Sequence, residues 1–342
     1  MSLVDLRSDT VTKPSKAMRQ AMCDAEVADD VYGEDPTVRR LQEVVAELVG
    51  TEAALFVPSG TMANQLALRS HTQPADEVIA GRDSHVWKYE SGALAGISGV
   101  QTAMMRDYLF TGADVRAAFK TSTNAYWAHT RVVAVENTHN DGGGICWEPS
   151  ALADVTKTAN ALGLATHLDG ARLWNAVVAG STTAKALAAG FDSVSVCLSK
   201  GLGAPVGSLV CGTRDFIVKC HRFRKMHGGG MRQAGIIAAG GLYAVQNNRA
   251  RLVEDHVNAH AMAETLAGAK NVRVNLETVQ TNILMVDLEK GTAQQVIDAA
   301  KKDGVLLGSA GAQRVRAVTH LDVDRAGCMR AAKVIADVAA TL

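Results

Sequence analysis

The chain has 342 residues, of which 47% are hydrophobic and 4% aromatic, and its 35 Lys and Arg side chains balance 35 Asp and Glu side chains. This length supports a sizeable core and favours two domains, or one large domain with a lid. A net charge of zero gives no overall field toward nucleic acid or an anionic membrane, so we expect neither as a partner.

The start of the chain carries charges at Asp5, Arg7 and Asp9, where a signal peptide needs an apolar core. The longest run without strongly polar side chains, residues 234–245, has 12 residues, whereas about 18 are needed to span a bilayer. We therefore expect a soluble protein. Six scattered cysteines form no CxxC pair, which favours reduced thiols in a cytoplasmic enzyme over a disulfide framework or a zinc site. They are Cys23, Cys146, Cys197, Cys211, Cys220 and Cys328.

Segment 35–50 predicts a helix. Asp35 can cap it, Pro36 suits its first turn and Gly50 ends it, and apolar residues from Leu41 to Leu48 recur at helical spacing. Continuous apolar runs between helical segments then predict a mostly parallel sheet that is covered on both faces. The predicted strands are residues 76–81, 131–137, 163–170, 192–199 and 207–212.

The pattern changes after about residue 250. Strand-like NVRVN, TNILMVDL and RVRAVTH surround one helical segment, and a second helix ends the chain. This predicts a small C-terminal α+β domain over residues 251–342 and a large α/β domain, with the N-terminal segment, over residues 1–250. We expect the boundary near a helix that contains Arg249 and Arg251. His256 and His260 are spaced like metal ligands but lack a third ligand, so we expect a solvated helix face and no metal site.

Two predicted strands end in residues that carry chemistry. Strand 163–170 ends in HLDGAR and strand 192–199 ends in SKGLGAP, which brings Asp169 and Lys200 to the carboxyl edge of the sheet, where open α/β sheets bind ligands. A lysine amine can form a Schiff base with pyridoxal phosphate (PLP), and a carboxylate can keep the pyridine nitrogen protonated. A solvated lysine and a turn-capping aspartate are the plain alternatives, but their joint occurrence favours a cofactor site.

The glycines of GLGAPVG also resemble a dinucleotide-binding loop. Pro205 would interrupt the helix that such a loop must open. An acidic residue for the ribose is expected about 20 positions later, and Asp215, the acid that follows, comes too early. The dinucleotide interpretation is therefore rejected.

A phosphate needs a separate site. Ser59, Gly60 and Thr61 follow a short apolar run and precede a helical segment, and free N–H groups at a helix start bind anions. The segment 219–233 places several cations, Arg232 among them, around a triple glycine, as an anion-binding loop would. Arg316, on a predicted strand of the small domain, is a candidate for a substrate carboxylate, although a surface arginine is an equal alternative.

Several longer motifs resemble the threonine aldolases, a group of fold-type I PLP enzymes within the β-eliminating lyase superfamily. They occur in order from Asp5 to Val323: DLRSDTVTKP, DDVYGEDPTV, EAALFVPSGTMANQ, ENTHN, HLDGARLWNA, SVCLSKGLGAPVGS, RKMHGGGMRQAG and RAVTHLDV. The resemblance implies an aspartate-aminotransferase-like large domain that binds PLP. It also implies a homotetramer, built as a dimer of dimers with active sites at the dimer interface.

The resemblance assigns roles by position. Lys200 would form the Schiff base, Asp169 would bind the ring nitrogen and His85 would stack on the cofactor. The phosphate would be bound by the cup of Ser59, Gly60 and Thr61 and by Arg232 of a neighbouring subunit, and Lys225 would lie near the site. Arg172 would serve at the cofactor and, with Ser8 and Arg316, would hold the amino-acid carboxylate.

These roles imply cleavage of L-threonine or L-allo-threonine to glycine and acetaldehyde. The general base stays open, and His85 or His139 could serve directly or through a water. Tyr126 occupies a position where some family members have a histidine, and His129 is slightly displaced from it. Either His85 is sufficient, His129 takes the place of that histidine, or the substrate range differs from the common pattern. Tyrosine, with a pKa near 10, is a poor base at neutral pH. β-Elimination, racemisation and cleavage of aryl β-hydroxy amino acids are alternative reactions within the fold, and a non-catalytic binding protein is the alternative outside it.

Overall fold

A computed structural model describes residues 3–342 of the chain. Its strands are β1 Val4–Asp5, β2 Ala53–Val57, β3 Glu77–Ala80, β4 Gln101–Met104, β5 Thr130–Glu136, β6 Ala165–Gly170, β7 Ser193–Cys197, β8 Ser208–Gly212, β9 Val272–Arg273, β10 Ile283–Leu288, β11 Val305–Leu306, β12 Gly308–Gly311 and β13 Arg314–Val318. Its α-helices are α1 Lys16–Cys23, α2 Pro36–Val49, α3 Gly60–His71, α4 His85–Lys88, α5 Gly112–Ala118, α6 Pro149–Ala161, α7 Leu173–Ala179, α8 Ala184–Ala188, α9 Arg214–Met226, α10 Gly235–Asn247, α11 Leu252–Ala267, α12 Ala293–Lys302 and α13 Arg325–Ala339.

The central sheet has seven strands in the order β2-β8-β7-β6-β5-β3-β4. Strand β8 is antiparallel to β2 and β7, and the other neighbours are parallel. Strand β2 shows why the sheet needs cover on both faces, because its side chains alternate between two cores. Phe56 lies in the core that contains α2, whereas Leu55 and Val57 lie in the core that contains α3. The predicted α/β fold is confirmed.

Helix α2 begins and ends as its sequence predicts. The Asp35 carboxylate accepts hydrogen bonds from the N–H groups of Thr37 (3.1 Å) and Val38 (3.0 Å). At the other end Gly50 takes a left-handed conformation, with φ of +79°, which a glycine adopts without strain. The helix then packs its apolar face, with Leu41 and Val45 fully buried, onto the first core.

A second sheet, in the order β12-β13-β10-β9, is antiparallel and packs with α11, α12 and α13 around its own core. Strand β1 pairs in parallel with β11, and Val4 and Leu6 lie in this second core. These first residues, which we expected in the larger domain, therefore pack with the smaller one. The division at residue 250 stays a prediction.

Three local expectations differ from the structure. Arg249 and Arg251 lie in the break between α10 and α11, where the Arg249 side chain donates to the Val245 carbonyl (2.7 Å), and not inside a helix. His256 is half-buried and lies 3.1 Å from the Asn175 amide, so only His260 is solvated. Strand β4 has no predicted counterpart, because its half-exposed edge lacks an apolar pattern. Within residues 3–342 no helix is both long and apolar enough to cross a bilayer.

Candidate active site

The site lies at the carboxyl edge of the central sheet. Strands β6 and β7 are parallel neighbours with Asp169 opposite Ser195, so Asp169 near the end of β6 and Lys200 just beyond β7 lie at the same edge. The half-buried Lys200 is held through its backbone, whose carbonyl accepts a hydrogen bond from the Thr12 hydroxyl (2.9 Å). Its amine makes no hydrogen bond or ion pair within residues 3–342, which leaves it free to react.

The Asp169 carboxylate is buried and held on both oxygens. Oδ1 accepts from the Ala171 N–H (3.0 Å) and Oδ2 accepts from the Asn64 side-chain amide (2.8 Å). One carboxylate oxygen of Asp169, one of Glu90 and one ring nitrogen of His85 lie within 4.8 Å of one another. Two hydrogen bonds leave lone pairs of this carboxylate for a third donor, such as a protonated ring nitrogen.

His85, the first residue of α4, is fixed at two points. Its backbone N–H donates to Glu136 Oε2 (2.7 Å), and its Nδ1 lies 2.9 Å from Glu90 Oε1. Burial alone would lower the pKa of His85, but the Glu90 hydrogen bond and the charge of Asp169 outweigh it and raise the pKa. Since Nδ1 faces Glu90, Nε2 is the ring nitrogen left for the site.

The start of α3 fits a phosphate. Ser59 caps the helix, because its Oγ accepts from the Met62 N–H (3.1 Å), and the N–H groups of Gly60 and Thr61 belong to the first turn, where helical acceptors are missing. The buried Ser208 hydroxyl has no hydrogen-bond partner in the described part of the chain. It lies 3.7 Å from the place where a Cβ on Gly60 would be, so it faces this helix start. An orphaned hydroxyl beside free N–H groups suits a bound phosphate.

Two arginines converge nearby. The buried Arg172 pairs with Asp9 through both guanidinium edge atoms, Nε to Oδ2 (2.8 Å) and Nη2 to Oδ1 (2.7 Å), and its Nη1 donates to Asn140 Oδ1 (3.3 Å). Arg316 Nη1 approaches the same Asn140 oxygen (3.4 Å). Burial, and then the charge of Arg172, lower the pKa of Arg316. Burial would raise the pKa of Asp9, but Arg172 holds it well below its usual range.

The arginine pair carries an excess positive charge that a carboxylate would neutralise. Asp9 neutralises one guanidinium, and the Nε of Arg316 is buried without a hydrogen-bond partner among residues 3–342. Ser8 directly precedes Asp9, and its Oγ accepts from the backbone N–H (3.2 Å) and the hydroxyl (2.9 Å) of Thr10. A carboxylate placed between Arg172 and Arg316 would meet unsatisfied donors.

Two predicted site residues do not join this group within one chain. Tyr126 is 96% exposed, in the loop before β5, and Arg232 has a side chain 63% exposed and paired with Asp29 (3.3 Å). Neither forms a hydrogen bond or ion pair with the other predicted site residues in the part of the chain described. His139 is fully buried and uses Nδ1 to accept the Gly142 N–H (3.2 Å), and its Nε2 lies 3.8 Å from Glu136 Oε2.

The sequence analysis did not identify the residues that hydrogen-bond to the predicted site residues. Glu90 follows His85 by five residues, and Asn64 lies one helical turn after Gly60 on the inward face of α3. Asn64 donates to both Glu90 Oε1 (2.8 Å) and Asp169 Oδ2 (2.8 Å). The helical spacing from Gly60 was the available signal for Asn64. Since amide donors already point at these carboxylates, the cluster is a hydrogen-bond network and not a cation cage.

Comparisons with known proteins show the family of the chain. The beta-eliminating lyase family model matches residues 5–289. A low specificity L-threonine aldolase of Escherichia coli O157:H7 is 46% identical over 328 residues, which cover 94% of this chain and 95% of that protein.

Two solved structures share the fold. The threonine aldolase of Leishmania major has a TM-score of 0.84 at 20% identity, and the match covers 98% of this chain and 99% of the other. A structure of SPT with PLP has a TM-score of 0.76 at 16% identity and covers 98% and 87%. With a family model over most of its length and a relative at 46% identity, the chain belongs to the beta-eliminating lyase family, in the group of the low-specificity L-threonine aldolases.

Proposed function

We propose that this chain is a PLP-dependent carbon–carbon lyase that cleaves L-threonine or L-allo-threonine to glycine and acetaldehyde. The observation that carries the proposal is an unpaired lysine amine and a buried carboxylate at one edge of the central sheet, with two nearby arginines that contact one Asn140 amide oxygen. The chain matches its E. coli relative over 94% of its own length. The product glycine would place the enzyme in amino-acid metabolism.

The residues at the sheet edge divide the work of holding the cofactor. Lys200 would bind its aldehyde, Asp169 would pair with the ring nitrogen, and His85 would cover the ring face. Ser59, Gly60 and Thr61 would bind the phosphate at the start of α3, where Ser208 also points. PLP, when bound, supplies the electron sink for the pair released from the Cα–Cβ bond.

The substrate carboxylate would lie between Arg172 and Arg316, with Ser8 beside them. Asp9 and Asn140 fix both guanidinium groups, so the carboxylate is held in one orientation. Such a clamp turns the substrate until the Cα–Cβ bond is the one aligned for cleavage. A bidentate arginine contact is well suited to that task.

His85 is the favoured base for the β-hydroxyl proton. Its Nδ1 is held by Glu90, which orients the ring and leaves Nε2 for proton transfer with the substrate. The buried position of His139 and the exposed position of Tyr126 make each a weaker candidate within one chain. For Tyr126 we propose contact with the substrate in a neighbouring subunit.

Replacing the lysine tests the reaction. Lys200→Ala should abolish the visible absorbance of bound PLP and lower turnover by on the order of 10³-fold or more, because the covalent attachment is lost. Lys290→Ala, at an exposed lysine far along the chain, is the control. It should change neither the absorbance of bound PLP nor the turnover. Full activity of Lys200→Ala would refute the proposed role.

The products distinguish the aldolase from related lyases. Threonine should yield acetaldehyde and glycine, whereas β-elimination would yield 2-oxobutyrate and ammonia. A keto acid without aldehyde would overturn the assignment, and comparison of both threonine diastereomers with phenylserine would define the substrate range. Racemisation would appear as D-amino acid.

For the assembly we propose a homotetramer, a dimer of dimers, in which Arg232 reaches the phosphate in a neighbouring subunit. The exposed Arg232 side chain supports this arrangement. Hybrids of Lys200→Ala and Arg232→Ala chains would contain one intact site if sites are shared, so mixing should give more activity than both parents together. No gain on mixing would argue for sites built from one chain.

We propose the cytoplasm as the compartment, since all six cysteines are free thiols.

A further inference from the structure

A line of polar side chains, buried except for the half-buried His71, runs along the face of the central sheet that packs against α3 and ends at Asp169. It starts at His71, the last residue of α3, whose Nε2 lies 2.9 Å from Ser193 Oγ. Ser193 Oγ lies 2.9 Å from His167 Nδ1, and His167 Nε2 lies 3.1 Å from Asn64 Oδ1. The Asn64 amide then donates to Asp169 Oδ2 (2.8 Å). The line thus connects the amino edge of the strands with the carboxyl edge.

The orientation of the Asn64 amide is determined by its neighbours. Its Nδ2 faces the carboxylates of Asp169 and Glu90, both at 2.8 Å, which accept hydrogen bonds when ionised and cannot donate. Its Oδ1 therefore faces Ser195 Oγ (2.7 Å) and His167 Nε2 (3.1 Å). All four hydrogen-bonding positions of this amide are then filled, so it cannot rotate without losing several bonds.

That orientation fixes the tautomers of both histidines. Burial lowers the pKa of His167 and of His71 to about 4, so each ring is neutral and carries one N–H. Because Asn64 Oδ1 needs a donor, the proton of His167 lies on Nε2, and Nδ1 accepts from the Ser193 hydroxyl. Ser193 has then used its only proton, so His71 Nε2 donates to it. Every bond in the line is donated toward Asp169.

We propose that this one-way hydrogen-bond chain, with Asn64 and His167 as positioning residues, holds the Asp169 carboxylate in a fixed rotation for the cofactor nitrogen. The inference rests on the proposed function, because Asp169 matters in this way only in a PLP enzyme. Neither positioning residue needs to touch substrate or cofactor. Their effect passes through the single bond from Asn64 to Asp169.

A matched pair of substitutions at His167 isolates the donor to Asn64. Gln can place an N–H where Nε2 is, whereas Asn is too short and can replace only the contact at Nδ1. In the holoenzyme, His167→Gln should keep kcat within about threefold of wild type, and His167→Asn should lose about tenfold, as expected for one lost bond to a coupled group. Equal kcat values for folded His167→Gln and folded His167→Asn would overturn the proposal.

Asn64→Asp tests the charge at the end of the chain. The substitution keeps the shape but replaces the two donated hydrogen bonds by a third carboxylate between Asp169 and Glu90. Like charges at this distance raise the pKa of the neighbouring carboxyl groups. The pH at which the visible absorbance of bound PLP titrates should therefore shift by about one unit or more, whereas Asn64→Ala should shift it less. An unchanged titration in Asn64→Asp would contradict the proposal.

Neutron diffraction from a deuterated crystal of the wild-type holoenzyme tests the chain without any substitution. Deuterium should occupy Nε2 of both His167 and His71. Deuterium on Nδ1 of His167 would overturn the proposal, even if the variants fail to fold. The result is independent of the reaction catalysed, because a holoenzyme that yields no acetaldehyde would refute the proposed function and leave the tautomers as they are.

Discussion

Among single residues, Ser208 has an unusual position. Its hydroxyl is fully buried and has no partner within residues 3–342, and it faces the start of α3 at Gly60. A buried unpaired hydroxyl costs about 1–3 kcal/mol. The unpaired hydroxyl therefore lowers the stability of the folded apoenzyme, and a hydrogen bond to a bound phosphate would remove this effect.

Ser208→Ala should have opposite effects on the two states of the enzyme. The apoenzyme should become more stable, because the unpaired hydroxyl is gone, and the affinity for PLP should fall roughly tenfold, because one hydrogen bond to a charged group is lost. Binding of pyridoxal, which lacks the phosphate, should not change. Thermal unfolding of the apoenzyme and titration with both ligands measure these effects.

Ser98→Ala is the matched control, since the Ser98 hydroxyl is also buried without a partner in the described residues but lies at the end of the π-helical turn Leu94–Ser98. It should stabilise the apoenzyme and leave PLP binding as it is. An unaltered PLP affinity in Ser208→Ala would show that the hydroxyl does not meet the phosphate.

Some residues of the candidate site were predictable from the sequence and others were not. Lys200 and Asp169 were predictable because each lies at or just beyond the end of an apolar strand, and strand ends meet at one edge. Glu90 and Asn140 were not, since nothing in their own segments indicates that they hold His85 and the arginines. Those roles depend on distances between segments that are remote in sequence, and composition and periodicity do not encode them.

Among the elements, α2 shows how a cap can join distant parts of the chain. Asp35 is fully buried, and its Oδ1 caps the helix while its Oδ2 accepts the N–H of Gly235 (2.8 Å), at the start of α10. The cap was predictable from the local sequence, and the second bond was not. Strand β4 was not predicted from the sequence, because an edge strand with exposed side chains lacks the apolar pattern that indicates a strand.

Asp35→Ala should therefore cost more than the loss of an ordinary cap. An exposed cap contributes about 1 kcal/mol, whereas this change also leaves a buried N–H of α10 unpaired, so the total should be roughly 2–4 kcal/mol. Asp324→Ala is the control, because Asp324 caps α13 from an exposed position through one bond to Gly327 (2.8 Å). Urea unfolding of both variants measures the difference. Equal losses would mean that the link to Gly235 contributes nothing.

For the whole molecule, Asp9 links three separate parts of the chain. It pairs with Arg172 after β6, accepts from the Asn282 amide just before β10 (3.1 Å), and belongs to the N-terminal segment that pairs with β11. The pair is fully buried, and removing one partner of such a pair typically costs about 3–5 kcal/mol because a buried charge is left alone. The site and the fold thus depend on the same carboxylate.

Asp9→Asn should lower the free energy of unfolding by a few kcal/mol, in a pH-dependent way. The pKa of Asp9 is depressed in the folded protein, and in the unfolded chain it is about 3.9. Folding therefore gains its full contribution from Asp9 above about pH 5, and the gain is lost progressively as the pH falls through the unfolded-state pKa toward the depressed folded-state pKa.

The difference between wild type and Asp9→Asn should accordingly be constant from about pH 5 to 8 and shrink below about pH 4. Denaturant unfolding at several pH values measures it. Asp5→Asn is the control, since Asp5 pairs with the half-exposed Arg7 (2.6 Å), and a solvated pair contributes less than about 1 kcal/mol. A stability gap between wild type and Asp9→Asn that widened on acidification would contradict the assignment, because a carboxylate stabilised as the anion by Arg172 can only lose its contribution when it is protonated.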